Sequence, residues 1–154
     1  MIGKLPPELL KELVFSGIRV GPEVILGPSV GEDSAAIDLG GGKVLVIHSD
    51  SITAASSLIG WLSVHIVSND IAVSGVRPRW VLVNIHVPPE AGVDELKKVV
   101  GGVKQAAEEL GVSVVGGHTE FTPGLNSTIT SSTALGVGEL PSLLGRAELS
   151  QATP

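Results

Sequence analysis

The sequence predicts a mixed α+β domain, an α/β sandwich of ferredoxin-like character whose single sheet follows the order β-β-α-β-α-β with helices on one face. Short β-rich runs alternate with longer stretches of helical spacing, and Gly and Pro punctuate the boundaries between them. Helices placed between consecutive strands favour one shared sheet. With 43% hydrophobic and only 17% charged residues, the 154-residue chain can bury a core of its own.

The N-terminal third predicts one short helix followed by β structure. Residues 8–14 form an amphipathic stretch directly after two prolines, where a helix can begin. Residues 24–26 form a small apolar triplet that can pair as a strand. Residues 34–39 and 43–52 are β-rich and are separated by the three glycines at 40–42, which predicts a hairpin.

Two helices and three strands are predicted for the rest of the chain. Ser56 or Ser57 is expected to cap the first of these helices, and Gly75 lies just past its end. In chain order the elements are a helix over 57–74, a strand over 80–87, a helix over 93–110, and strands over 112–115 and 126–137.

The sheet is expected to have one face without helices. We expect Val81, Val83 and Ile85 to point outward on that face. Because an apolar face of this kind must be covered, the sequence predicts that it pairs with a second copy of the chain. The chain is therefore expected to form a homodimer.

Composition argues against several classes of function. The net charge is −6 and no segment concentrates Lys and Arg, so neither nucleic acid nor a membrane surface is an expected partner. The absence of Cys excludes a disulfide framework and thiol catalysis. The apolar stretch 58–76 is interrupted by polar residues, and the N-terminus lacks the apolar core of a signal peptide. A cytoplasmic location is expected.

Three acidic residues stand in unusual places. Asp33 precedes a β-rich run and, taken alone, fits a turn-capping residue. Asp50 lies in an apolar strand, and Asp70 interrupts an apolar helix beside Asn69. Buried carboxylates are costly unless a cation compensates them. Carboxylates also repel phosphates, and Mg²⁺ prefers oxygen ligands, so the acids suggest a site for magnesium and ATP.

A fourth segment could contribute backbone and side-chain groups. Gly116 and Gly117 follow an apolar run and would let backbone amides approach an anion, although such a pair after a strand is more often a tight turn. If the strand continues, His118 and Glu120 share one face. A zinc site is the competing chemistry, but the spacing of the four histidines fits no recognised zinc motif. Those histidines are His48, His65, His86 and His118.

Together these segments resemble a known family. The runs Gly31-Glu32-Asp33-Ser34-Ala35-Ala36, Ser49-Asp50-Ser51, Asn69-Asp70-Ile71-Ala72 and Gly116-Gly117-His118-Thr119-Glu120 occur in one collinear order. In that order they resemble the aminoimidazole ribonucleotide synthetase superfamily, which includes hydrogenase-maturation carbamoyl dehydratase, selenophosphate synthetase and thiamine-monophosphate kinase. The resemblance covers about residues 31 to 137.

The resemblance implies a domain plan. Residues 1–30 would be an N-terminal helix and loop, residues 31–140 the ATP-binding domain, and residues 141–154 a flexible tail. The second, C-terminal domain of the family is absent from this sequence and could be supplied by a separate chain. The sheet would join that of a second subunit in a dimer barrel, with the nucleotide near the interface.

The resemblance also implies site residues and chemistry. Asp33, Asp50 and Asp70 match the acids that hold magnesium and phosphate. Asn69, Gly116, Gly117 and His118 complete the expected nucleotide contacts, His118 standing where relatives place Asp, Glu or His. The implied reaction is transfer of the ATP γ-phosphoryl group to an amide-type oxygen or related acceptor, by an enzyme that needs a second domain. The alternatives are a non-catalytic dimeric nucleotide-binding or interaction module, and a small-molecule kinase resembling thiamine-monophosphate kinase.

Overall fold

The computed structural model describes residues 3–53 and 57–143 as a mixed α+β fold with one six-stranded sheet and three helices. Helix α1 (Pro7–Leu9) continues as a wider, π-helical turn over Leu10–Phe15. The other helices are α2 (Ile59–Ala72) and α3 (Gly92–Leu110). The strands are β1 (Val24–Leu26), β2 (Ala35–Gly40), β3 (Lys43–Ile52), β4 (Trp80–Val87), β5 (Ser113–Phe121) and β6 (Ile129–Glu139).

The sheet has the strand order β1-β2-β3-β6-β4-β5. Strands β4 and β5 are parallel, and every other neighbouring pair is antiparallel. The parallel pair follows from α3, which crosses over between the two strands. The ferredoxin-like arrangement is not confirmed: the series β-β-α-β-α-β contains only four strands, whereas the six segments predicted individually as strands all occur in the sheet.

Several predicted elements are confirmed, and others differ in extent. The strands predicted over 43–52 and 80–87 have the observed bounds. Strand β5 continues past the predicted end at residue 115 to Phe121, because after a one-residue register shift at Val115 it stays paired with β4 up to Val87. Helix α2 is capped by Leu58 without a side-chain hydrogen bond, so the prediction of Ser57 as its cap is wrong. Ser56 lies outside the described residues.

Helices α2 and α3 pack together on one face of the sheet and enclose the core. Along β4, Val81, Val83 and Ile85 are buried beneath them. The prediction that these three residues point outward is therefore wrong: strand side chains alternate, and this half of β4 faces the helices. The helix-free face, which we call the open face, instead receives the alternate residues of β4, namely Leu82, Asn84 and His86.

The two core helices approach closely at a pair of glycines. A Cβ atom added at Gly60 would lie 2.0 Å from the carbonyl oxygen of Val99, and one at Gly102 would lie 2.9 Å from the amide nitrogen of Trp61. Real Cβ atoms do not come so near to backbone, so only glycine permits this spacing. The contact brings α2 and α3 together on the sheet.

The two ends of the chain differ in what they contribute. Strand β1 lies within the segment 1–30 but pairs with β2, so this segment contributes to the sheet. Of the predicted tail, a short 3-10 turn over Leu140–Ser142 is described, and residues 144–154 lie outside the described part. Within residues 3–53 and 57–143, no helix combines the length and apolar character needed to cross a membrane.

Candidate functional site

The three predicted acids come from three different elements and meet in one neighbourhood. Asp33 ends the loop before β2, Asp50 lies near the end of β3, and Asp70 lies in the last turn of α2. Burial raises the pKa of the Asp70 carboxyl, the positive charge of His48 opposes that rise, and the charges of Asp33 and Asp50 add to it. Asp33 and Asp50 are therefore each within electrostatic reach of Asp70.

His48 lies between two of these acidic segments. Its Nδ1 donates a hydrogen bond to the backbone carbonyl oxygen of Asp33. Its Nε2 lies 2.9 Å from Oδ2 of Asp70, within ion-pair distance. The imidazole is only 9% exposed. Because β3 alternates, His48 shares the helix-facing side of the strand with Asp50.

Two serines hold the backbone at Asp70. The hydroxyl of Ser34 donates to the Asp70 carbonyl oxygen at 2.9 Å, and that of Ser74 donates to the same oxygen at 3.3 Å. Ser34 comes from the loop that carries Asp33, so this loop and the end of α2 are joined by side-chain bonds. The positive charge of Lys4 also acts on the Asp70 carboxyl and lowers its pKa.

A cavity of about 350 Å³ opens beside the acidic neighbourhood. Asp33, His48 and Ser49 supply polar groups to its wall, and Phe15 and Ile47 supply apolar ones. Asp50 and Asp70 lie outside this lining. The carboxylate of Asp50 is partly exposed and accepts a hydrogen bond from the backbone amide of Ser51 at 2.6 Å.

The acids lie near one another, but their side chains are not arranged to coordinate a metal ion. Among the described residues, no group of three or more His, Asp or Glu side chains is already arranged to hold a metal ion. The chemistry of the donor set nevertheless suits a hard cation, since all three acids offer oxygen. Asp70 also lies at the C-terminal end of α2, where the helix dipole favours positive charge. A bound cation would relieve the repulsion that the acids exert on one another.

The remaining predicted residues lie elsewhere in the same chain. One row of paired residues crosses the sheet from β3 through β6 and β4 to β5. Its members, in that order, are Asp50, Ser132, Val83 and Gly117. Three strand spacings separate the ends of that row, about 14 Å. His118 is the next residue and projects to the open face. Within one chain, Gly116, Gly117 and His118 therefore do not join the acids.

Asn69 is exposed on α2, although it precedes Asp70 directly. Consecutive residues of a helix project about 100° apart, so the two side chains point in different directions. The structure does not bring the Asn69 side chain to the carboxylates.

Gly117 has a structural reason to be glycine. A Cβ atom at this position would lie 1.9 Å from the carbonyl oxygen of Val83, and the residue has a φ of +146°. A side chain there would separate β5 from β4. Gly116 differs, because its Cβ would meet only Leu82 at 3.7 Å, an ordinary contact.

His118 belongs to a polar network on the open face. Glu120 accepts a hydrogen bond from the hydroxyl of Thr122 at 2.7 Å and lies 3.1 Å from Nε2 of His118 and 3.2 Å from Nδ1 of His86. The bonds from Thr122, His118 and His86 lower the pKa of Glu120 to about 2. The prediction that His118 and Glu120 share one face is confirmed.

The histidines do not assemble as a zinc site. His48 contacts the acids, and His65 lies 3.1 Å from Glu109 and stacks on Trp61. Only the rings of His86 and His118 are neighbours among the four, with centroids 6.0 Å apart. The geometry of these four residues gives no support to the zinc alternative.

Sequence reasoning missed the residues that organise the acids. The sequence suggests His48 only as a zinc ligand. It suggests no role for Ser34, Ser74 or Lys4. A signal for His48 was present, because Val44, Val46, His48 and Asp50 alternate along one strand and must share a face. The contacts of Ser74 and Lys4 depend on tertiary structure that no local pattern encodes.

Comparison with known proteins identifies the family. Residues 31–138 match the N-terminal domain of AIR synthase related proteins. The chain is 26% identical over 127 residues to thiamine-monophosphate kinase of Archaeoglobus fulgidus, which covers 77% of this chain and 40% of that protein. It is 29% identical over 116 residues to carbamoyl dehydratase HypE of Cupriavidus necator, which covers 72% of this chain and 33% of that protein.

Solved structures agree with this assignment. The hydrogenase maturation protein HypE in complex with ATP superposes with a TM-score of 0.58 at 32% identity, covering 68% of this chain and 32% of that one. AaThiL complexed with AMPPCP and TMP shares the fold, with a TM-score of 0.64 at 21% identity over 86% of this chain and 40% of that one. The chain thus spans well under half the length of these relatives. It belongs to the AIR synthase related family and carries the family's N-terminal domain.

Proposed function

We propose that this chain is the ATP-binding part of an ATP-dependent phosphoryl-transfer enzyme and that Asp33, Asp50 and Asp70 bind ATP through Mg²⁺. The observation that carries the proposal is that the three elements bearing these acids meet at His48, which contacts the Asp33 backbone and the Asp70 carboxylate and lies two residues before Asp50 on β3. The family relationship and the ATP named for a HypE structure support the choice of nucleotide.

Magnesium would supply charge neutralisation between the carboxylates and the triphosphate. The acids would hold it after rotation of their side chains, since no ready chelate exists among the described residues. The dipole of α2 would add to the attraction at Asp70. The cavity beside Asp33 and His48 offers room for part of the nucleotide, with Phe15 and Ile47 as its apolar wall.

A homodimer is part of the proposal. Gly117 lies three strand spacings, about 14 Å, from Asp50 of its own chain, and Gly116 and His118 are its neighbours on β5. They serve the same nucleotide only if a second copy presents its β5 near the acids of the first. Pairing of the two open faces in a barrel would place the nucleotide near the interface between copies.

Turnover is proposed for a larger assembly than this chain. The sequence covers 40% of the matched kinase and 33% of the matched dehydratase, so both relatives contain substantial further chain. We assign transfer to an amide-type oxygen or related acceptor to the complete enzyme, with the remaining part on the same or on a separate polypeptide.

Isothermal titration calorimetry with ATP in the presence and absence of Mg²⁺ tests the proposal. We expect binding that requires the metal and that weakens at least about tenfold in Asp50→Ala and in Asp70→Ala. Asp94→Ala is the matched control, because Asp94 is an exposed acid on α3 paired with Lys97 at 3.0 Å. Unchanged affinity in both site variants would refute the assignment.

The same measurements separate the two alternatives. A stable dimer without measurable nucleotide affinity would favour a non-catalytic interaction module. Phosphorylation of a small molecule by this chain alone would favour a free-standing kinase.

A further inference from the structure

We propose that His48 is a positioning residue that ties the Asp33 loop to Asp70 and thereby sets the spacing of the three carboxylates. This inference rests on the proposed function, since it concerns how the same acids are held. The positioning role requires no contact between His48 and the metal, and it is separate from the place of the ring in the wall of the proposed nucleotide cavity.

The connectivity of the imidazole is the first support. His48 lies on β3, two residues before Asp50 and on the same face of the strand. Its Nδ1 holds the backbone of Asp33, and its Nε2 lies 2.9 Å from the carboxylate of Asp70. One side chain therefore links the three elements that carry the three acids.

The burial of the ring is the second support. His48 is 9% exposed, and within the described part of the chain its buried Nε2 faces the Asp70 carboxylate at 2.9 Å, an ion-pair contact without good hydrogen-bond geometry. Packing leaves the ring little freedom to rotate, so it can hold both acidic segments at fixed positions.

The like charges of the acids give this link its consequence. Without a cation, Asp33, Asp50 and Asp70 repel one another, and a mobile Asp33 loop would move away from α2. The bond from Nδ1 to the Asp33 carbonyl opposes that movement, in addition to the bond from the Ser34 hydroxyl to the Asp70 carbonyl oxygen. The acids are then already close when a metal arrives, and less ordering accompanies binding.

Two substitutions separate the two contacts of the ring. His48→Leu removes both and fills much of the buried space. In His48→Asn, the side-chain amide can still donate a hydrogen bond near the position of Nδ1. The shorter side chain does not reach the Asp70 carboxylate. His65→Leu is the matched control, because His65 is also largely buried beside a carboxylate, that of Glu109 at 3.1 Å, and lies away from the acids.

The experiment measures Mn²⁺ affinity without nucleotide, amide hydrogen exchange over residues 33–35 and the melting temperature. We expect His48→Leu to weaken Mn²⁺ binding about 10- to 100-fold and to accelerate exchange over residues 33–35. His48→Asn should restore slow exchange there and recover only part of the affinity. His65→Leu should lower the melting temperature and leave Mn²⁺ affinity unchanged.

Each outcome decides a specific point. Equal Mn²⁺ affinity in the wild type and in both His48 variants overturns the inference. Equal losses of affinity in His48→Leu and His65→Leu, in step with melting temperature, also overturn it, because they indicate a general effect of stability. If the wild type binds no Mn²⁺ and no Mg²⁺ with ATP, the proposed function fails, and the exchange data alone then decide whether the link exists.

Discussion

Asp70 and Glu120 show how the surroundings of a carboxyl group decide its charge. Burial at the end of α2 and two neighbouring acids raise the pKa of Asp70. Three hydrogen-bond partners on the open face lower the pKa of Glu120 to about 2. The folded state therefore disfavours one ionised carboxylate and favours the other. This difference makes Asp70 a place where a cation stabilises the fold and Glu120 a place where none is required.

Substitution of Asp70 should stabilise the isolated domain. A pKa raised in the folded state means that Asp70 favours folding below its ordinary value of 3.8 and loses that contribution as pH rises through the folded-state pKa. Asp70→Asn mimics the neutral form, so we expect it to increase the free energy of unfolding at pH 7, measured by urea denaturation without metal. The gain should shrink as pH approaches 3.8.

Asp94→Asn provides a contrast of opposite sign. Asp94 lies in the first turn of α3, where the helix dipole favours negative charge, and it pairs with Lys97. We expect this substitution to lower the free energy of unfolding by about 0.5 kcal/mol. A decrease of similar size in Asp70→Asn would contradict the account of Asp70.

The Glu120 carboxyl should titrate near pH 2 and respond most to Thr122. The Thr122 hydroxyl makes the largest contribution to the lowered pKa, so Thr122→Val should move the titration midpoint upward from about 2 toward 4.5. The network favours folding above pH 4.5 and loses its contribution as pH falls from 4.5 to about 2. Carbon-13 NMR of the Glu120 carboxyl measures the midpoint. Thr119→Val, on the other face of β5, should leave it unchanged.

At the level of elements, local patterns predicted most of the secondary structure. Strands β3 and β4 have the predicted bounds because their apolar runs end at turn-forming residues or prolines. The continuation of β5 was not predicted, because residues 116–120 lack β-forming character and pair only through their register with β4. Its strand conformation is a property of the sheet.

The orientation of β4 shows a second limit of sequence reasoning. Alternation indicates which residues share a face, but not which face the helices cover. The sequence therefore predicts correctly that Val81, Val83 and Ile85 share one face of the sheet. It assigns them to the open face, whereas they lie on the face that the helices cover. The acids were predicted because a charge within an apolar run is conspicuous, whereas the contacts of His48 required the positions of three elements.

The helix pair gives a stability prediction with an internal control. Gly60→Ala would place a Cβ atom 2.0 Å from the carbonyl oxygen of Val99 and should lower the free energy of unfolding by about 1–3 kcal/mol, because α2 and α3 must separate. Gly101→Ala, in α3, meets nothing within 4 Å. That substitution should raise the free energy of unfolding by up to about 1 kcal/mol through helix propensity. Thermal and urea denaturation measure both. A neutral Gly60→Ala would show that the helices are not tightly packed there.

At the scale of the whole molecule, the sheet separates two kinds of surface. The helix side contains the core and directs Asp50 and His48 toward Asp70. The open face carries Leu82, which is 38% exposed on a central strand, together with the network around Glu120. Asp50 and Gly117 lie on the helix side, three strands apart in one chain, whereas His118 lies on the open face. We propose that a nucleotide site using all of these residues is completed by a second copy.

Leu82→Asp tests this dependence on assembly. A charge at the centre of the open face would have to be buried without a partner in the dimer, so we expect dissociation to monomers in sedimentation velocity at micromolar concentration. Val93→Asp is the matched control, because Val93 is 56% exposed on α3, on the opposite side of the sheet. It should leave the dimer intact.

If two chains build the nucleotide site, Leu82→Asp should also weaken ATP binding in the presence of Mg²⁺. Affinity for Mn²⁺ alone should persist, because the acids belong to one chain. A wild-type protein that is monomeric at micromolar concentration and still binds ATP would show that a single chain suffices.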